Sequence, residues 1–134
     1  MDSQKVLDQY LENSIRTASP EQLTLMLYNG CIRNIRLGIR SIEDNDIESA
    51  NRSLIKAQTI VCELRDTLNF SFDLSRQLGA LYDFVNTTLI AANMKKNLDQ
   101  IEIACNLMTE LRDVWYQAMA RKDHLPGTAA AMQA

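Results

Sequence analysis

A single histidine, His124, and three cysteines, Cys31, Cys62 and Cys105, are the groups from which nucleophilic or metal chemistry would have to be built. A di-iron bundle needs inward glutamates and a Glu-x-x-His pair on each of two helices, which one histidine cannot supply. A phosphotransfer bundle needs an exposed histidine midway along a helix, whereas His124 lies beyond the last helical pattern. The thiols are far apart and have no Cys or His at ligand spacing, so they read as buried free thiols of a reducing cytoplasm. Glu63, Asp66, Glu102 and Glu110 sit among basic residues on expected exposed faces, where solvated ion pairs are the ordinary use. A phosphate-cradling glycine loop must follow a strand, and no stretch alternates as a strand does. The expectation is therefore no enzyme, no metal and no cofactor.

What must position any other site is a set of helices. In 134 residues there are only four glycines and two prolines, and the apolar share is 46%, a balance that favours helix over a turn-rich β fold. The 14 basic and 17 acidic residues leave a net charge of −3, and no basic block occurs, which argues against a nucleic-acid surface. No run approaches the roughly 18 apolar residues of a membrane span. The start, Met1-Asp2-Ser3-Gln4-Lys5, lacks the basic flank and apolar core of a signal peptide.

Taken in order, Val6, Leu7, Tyr10, Leu11 and Ile15 mark a short amphipathic helix over about Gln4 to Ile15. Alone, three turns of helix are marginal in water. A firm boundary follows. Ser19 is placed to cap, Pro20 stands at the first helical position, Glu21 faces the positive end of the dipole, and Gln22 completes a capping box. A first long helix then runs from about Pro20 to Glu43, with Leu25, Tyr28, Ile32, Ile35, Ile39 and Ile42 on its seam and Leu23, Met26, Leu27 and Cys31 beside it. Gly30 and Gly38 within it read as points of close helix approach.

Asp44-Asn45-Asp46 breaks the pattern, and Asp46 can cap a helix over about Ile47 to Leu68. Its seam is Ile47, Ala50, Leu54, Ala57, Val61, Leu64 and Leu68. Asn69 to Asp73 reads as the longest inter-helix loop. The next helix covers about Leu74 to Lys95 with Leu74, Leu78, Leu81, Val85, Leu89 and Ala92 on its seam, widened by Tyr82, Phe84, Ile90 and Met94. The last covers about Leu98 to Arg121, with Asn97 capping and Ile101, Ala104, Met108, Leu111, Trp115 and Ala118 on the seam. Four helices of roughly 35 Å joined by short loops predict an all-α, antiparallel up-down four-helix bundle preceded by a short N-terminal helix. The expected division is a mobile segment over 1–18, the bundle over 19–121 and a disordered tail over 122–134.

Each helix carries more apolar residues than one core stripe needs. Ile55, Ile60 and Cys62, then Phe84, Ile90 and Met94, then Ile103, Leu107 and Val114 fall off the seams. Apolar grooves left on the outside of a bundle mark protein-binding sites, and amphipathic helices fit them. A self-associating bundle, such as a homodimer, or an adaptor for a regulatory protein is the competing reading.

Ala18-Ser19-Pro20-Glu21-Gln22-Leu23 and Met26-Leu27-Tyr28-Asn29-Gly30 carry a family likeness. So, in order, do Ala50-Asn51, Lys56-Ala57-Gln58, Ile60-Val61, Glu63-Leu64, Leu81-Tyr82-Asp83-Phe84-Val85, Ala92-Asn93, Leu111-Arg112 and Trp115. This ordered set, over residues 4 to 121, resembles the flagellar secretion chaperone FliS. The resemblance implies a cytoplasmic chaperone whose client is the C-terminal segment of flagellin, held from premature polymerisation and delivered to the cytoplasmic domain of the export gate protein FlhA. A co-chaperone or regulator is a further partner it allows. It also implies that an apolar residue followed three later by tyrosine docks on the gate, a pattern met by Leu7 and Tyr10. The client groove expected from the off-seam residues is Ile55, Ile60, Cys62, Phe84, Ile90 and Met94. The chain departs from the family where Asn29 replaces a usual Asp and Cys31 a usual Ala. Asn69 to Arg76 replaces a Gly-Gly pair and an acidic residue, and the usual acidic residue near Asn97 is absent.

Overall fold

The computed structural model describes residues 3–121, so the expected tail over 122–134, His124 included, lies outside the described residues. Five helices follow one another: α1 (Ser3–Thr17), α2 (Pro20–Glu43), α3 (Ile47–Asp66), α4 (Asp73–Lys95) and α5 (Leu98–Ala120). Each boundary has a local cause. At the head of α2 the Ser19 hydroxyl accepts from Gln22 N–H at 3.2 Å, and the Gln22 side chain accepts from Ser19 N–H at 2.9 Å. Two otherwise orphaned donors are thereby satisfied. Asn45, in the left-handed region at φ 60°, turns the chain between α2 and α3, and Asp46 caps α3 by accepting from Ser49 N–H at 3.1 Å.

α3 ends at Asp66, two residues before the sequence pattern runs out, because Thr67 folds its hydroxyl back onto the Leu64 carbonyl at 2.6 Å. Residues 67–72 make the longest connection between the bundle helices. Arg76 holds that connection by donating to the Phe70 carbonyl at 2.7 Å and pairing with Asp73. α4 closes with Lys96 in the left-handed region and Asn97 N–H donating back to the Ala92 carbonyl, the geometry of a helix C-terminus that reverses direction. Asn97 then caps α5 by accepting from Gln100 N–H.

α2 packs on α3 and α5, and α4 packs on α3 and α5. The four helices therefore form a closed ring with sequence neighbours adjacent, the up-down arrangement expected. α1 shares no extended interface with any of them. The core is built from the seam positions: Tyr28, Ile32 and Ile35; Leu54, Val61 and Leu64; Val85 and Leu89; Ile101, Met108 and Trp115. Two seam residues depart from expectation. Ile47 at the first turn of α3 and Leu81 on α4 are 48% and 37% exposed. Ile47 lies in the first turn of its helix, and Leu81 lies on the α4 stripe that runs on through Thr88 to Lys95 beside α5.

Gly38 and Gly30 have different causes. A Cβ at Gly38 would fall 2.7 Å from Leu54 Cδ2, so α2 and α3 meet there more closely than a side chain permits. A Cβ at Gly30 would meet only Ile60 Cδ1 at 3.5 Å, an ordinary contact. Across the middle of the core, the hydroxyls of Tyr28 and Tyr82 hydrogen-bond each other and join the diagonal helices α2 and α4. Trp115 from α5 stacks at a tilt on Tyr28, 6.5 Å between ring centroids, and its indole N–H donates to the Glu21 carbonyl at 3.1 Å.

Candidate protein-docking site

The outer seam between α3 and α4 is pinned at three levels. Arg65 donates to Asp83 at 2.7 Å, Asn86 donates to the Cys62 thiol at 3.7 Å, and Lys96 donates to Asn51 at 2.7 Å. The pairs fix an antiparallel register. Between them, on the rows facing solvent, lie Ile55 and Ile90, each about half exposed, with Cys62 exposed beside them. The same seam holds two polar oddities. The side-chain oxygens of Asn86 and Asn93 are buried and accept no hydrogen bond. Such acceptors are uncommon because desolvation without a partner costs on the order of 1–3 kcal/mol.

A second apolar strip runs along the α4/α5 seam. Leu81 and Phe84 continue in helical steps the α4 stripe of Thr88, Ala91 and Lys95 that shares a groove with Gln100 of α5. Ile103 and Val114 continue the stripe of Gln100, and all four are more than a third exposed. Leu107 lies partly buried among them.

The six residues expected to form one groove are thus distributed. Ile55, Cys62 and Ile90 share the α3/α4 seam. Phe84 belongs to the α4/α5 strip. Met94, the most exposed of the large apolar side chains, points outward from α4 between the two. Ile60 is on the far side of α3, partly buried against the core and over Gly30 of α2. Helical spacing alone does not tell which side of a helix a neighbour occupies, and so it could not separate Ile60 from Ile55. Leu81 was hidden by its perfect seam spacing.

On α1, Val6, Leu7, Tyr10 and Leu11 are all exposed, Leu7 by 49% and Tyr10 by 66%. Helical spacing brings Leu7 and Tyr10 onto one face one turn apart.

Burial disfavours ionisation of the core thiols and tyrosines. Burial pushes the Cys31 thiol up to about 12, and its Sγ lies 3.7 Å from the Ala57 carbonyl. Burial also raises the Cys105 thiol and both core tyrosines, Tyr82 to about 12. Among the described residues no group of His, Cys, Asp and Glu could hold a metal ion, and no helix is long and apolar enough to cross a membrane. What the surface offers is apolar area edged by amides, which suits a polypeptide rather than a small molecule.

The chain matches the family model of the flagellar protein FliS over residues 3–122. It is 46% identical over 116 residues to the flagellar secretion chaperone FliS of Bacillus subtilis, covering 85% of this chain and 87% of that protein. It is 27% identical over 115 residues to the protein of the same name from Escherichia coli, covering 81% and 82%. A solved structure described as a flagellar chaperone from bacteria superposes with a TM-score of 0.70 over 90% of this chain and 99% of that one, at 22% identity. At that identity the likeness speaks to the fold alone.

Proposed function

This chain belongs to the FliS family of flagellar secretion chaperones, which are not enzymes, and on that premise we propose that it binds the C-terminal segment of flagellin in the cytoplasm. Binding there keeps the segment from polymerising early and carries it to the cytoplasmic domain of the export gate protein FlhA. The observation that supports this reading most is the apolar area flanking α4 on both sides: Ile55, Cys62 and Ile90 on one seam, Leu81, Phe84, Ile103 and Val114 on the other. A client segment that is disordered when free must cover a large apolar area to offset its ordering entropy. Two parallel strips separated by one helix provide such an area for a wrapping chain. The unpartnered oxygens of Asn86 and Asn93 add acceptors that a rotated amide would present to an incoming backbone N–H. The 1–18 segment, joined to the bundle through Ala18 and the Ser19 cap, is proposed as a movable element carrying the gate-docking residues Leu7 and Tyr10.

The test is titration of purified flagellin against the wild-type chain and a variant with Ile55→Ser, Phe84→Ser and Ile90→Ser, following binding by calorimetry. The expected result is wild-type binding that disappears when flagellin lacks its C-terminal segment and weakens by at least about 10-fold in the triple variant, with the helical signal retained. A stable homodimer that takes up no flagellin would overturn the reading and favour self-association.

A further inference from the structure

On the side of the bundle opposite the α3/α4 seam, α2 and α5 enclose an open groove of about 450 Å³. Its walls carry four arginines, Arg33, Arg36 and Arg40 from α2 and Arg112 from α5, and Leu37 stands among them, 45% exposed. Four of the chain's 14 basic residues thus converge on one groove of a protein whose net charge is −3. Three of the four have no carboxylate partner: no ion pair among the described residues involves Arg33, Arg36 or Arg40. Arg112 lies 3.3 Å from its chain neighbour Asp113 and donates at 3.2 Å to Asn29, a neutral amide. Arg36 and Glu102 both lie near enough to the Cys105 thiol to act on it, so Glu102 and Asp113 are carboxylates of α5 close to the arginines, although neither lines the groove.

The three α2 arginines are exposed, and what sets them apart is their single sign. Like charges at positions 33, 36 and 40 repel along one helix stripe, and guanidinium groups left unpaired beside an apolar side chain are arranged for planar acceptors. Their span is seven residues, roughly 10 Å along the axis at 1.5 Å per residue. An antiparallel or parallel helix with carboxylates at i, i+3 or i+4, and i+7 has the same repeat. Leucine-sized residues beside those carboxylates would cover Leu37.

We propose that the α2/α5 groove is a docking site for an acidic, amphipathic helical segment of a second protein. The site is separate from the apolar strips flanking α4, so both can be occupied together. Charge complementarity selects this occupant: an apolar helix would desolvate four guanidiniums without recompense, and a basic one would be repelled. The inference rests on the chaperone reading only in supposing that a client occupies the other side.

The probe is a fluorescein-labelled, acetylated 18-residue amphipathic peptide with glutamates at i, i+4 and i+7 beside leucines. Controls are the same peptide with each Glu replaced by Gln, and a single-stranded RNA 18-mer. Anisotropy is read against the full chain at low salt and at 0.3 M salt. Expected are saturable binding of the acidic peptide at least about 10-fold tighter than its Gln form, and weakening with salt as screening shortens the field. Arg36→Glu with Arg40→Glu should cost at least about 10-fold, and Asn29→Asp, which sets a carboxylate beside Arg112, should cost less in the same direction. Should the charge-reversed chain lose its helical melt, Arg36→Gln with Arg40→Gln gives the same decision. Flagellin binding by these variants should stay within about twofold of wild type. Equal binding of the Gln peptide, unchanged affinity in the arginine variants, or tighter binding of RNA than of the acidic peptide would each overturn the proposal. Loss of flagellin binding in the arginine variants would also overturn it, by making the groove part of the client site, while leaving the chaperone reading intact.

Discussion

The hydroxyl pair joining Tyr28 to Tyr82 can be tested by a double-mutant cycle. Both residues are almost wholly buried, at 0% and 2% exposure, and each hydroxyl finds the other. Tyr28→Phe removes one partner and leaves the Tyr82 oxygen desolvated and alone, which costs about 1–3 kcal/mol. Tyr82→Phe strands the Tyr28 hydroxyl in the same way. Removing both hydroxyls leaves an apolar contact of nearly the same shape, with ring centroids 6.2 Å apart, and no orphan. The double variant should therefore be more stable than the sum of the single losses predicts, with a coupling energy of about 1–2 kcal/mol. Urea unfolding followed by circular dichroism gives the four free energies, and m should stay constant across the set. Additive losses would refute the claim that the two hydroxyls satisfy each other. The pair also makes an alkaline prediction. Burial holds the folded pKa of Tyr82 at about 12, against 10.0 unfolded. The folded chain then binds more protons than the unfolded one between those values. Its contribution is full below pH 10 and is lost as pH rises toward 12. The double Phe variant should lose less stability over that window.

Three further outcomes follow from particular contacts. Gly30→Ala should raise stability by about 0.5–1 kcal/mol through helix propensity, since its Cβ meets only an ordinary contact, whereas Gly38→Ala should lower it by about 1–2 kcal/mol because Leu54 has to move; paired thermal melts decide both. The hydrogen bonds from Ser49 hold the Asp46 carboxyl below its ordinary value, so the stability it contributes is present above pH 3.8 and is lost as pH falls through the lower folded pKa. Asp46→Asn should accordingly reduce the acid sensitivity of unfolding measured from pH 5 down to 2. Leu7→Ala with Tyr10→Ala should weaken binding to the FlhA cytoplasmic domain by at least about 10-fold and leave flagellin binding unchanged, as read by surface-immobilised titration; equal gate affinity would remove the role proposed for α1.

Helix existence and most of the core were legible because seam spacing and caps are local signals. Ser19 with Gln22, Asp46 and Asn97 each mark a start that the backbone then follows. What stayed hidden depends on which neighbour lies where. Ile55 and Ile60 look alike in the sequence, yet one faces the α4 side and the other sits over Gly30 of α2. The arginine groove was missed for a related reason. Arg33, Arg36 and Arg40 are interleaved with buried Asn34, Ile35 and Gly38, so no basic block appears, and Arg112 joins them from the far end of the chain. The Tyr28–Tyr82 bond links residues 54 apart, and neither residue carries a local mark of it.

The close approach of Gly38 to Leu54 bears on the route of the proposed wrapping chain. With Leu54 against Gly38 and Ile60 over Gly30, the α2/α3 seam is filled at two points. The client segment proposed for the α3/α4 seam would then continue over α4, toward the second apolar strip. Crossing one helix of about 10 Å diameter takes roughly 12–15 Å of chain, or about four to five extended residues at ~3.3 Å each. Two short amphipathic stretches joined by a linker of that length would fill both apolar strips, and a markedly shorter linker would leave one of them empty.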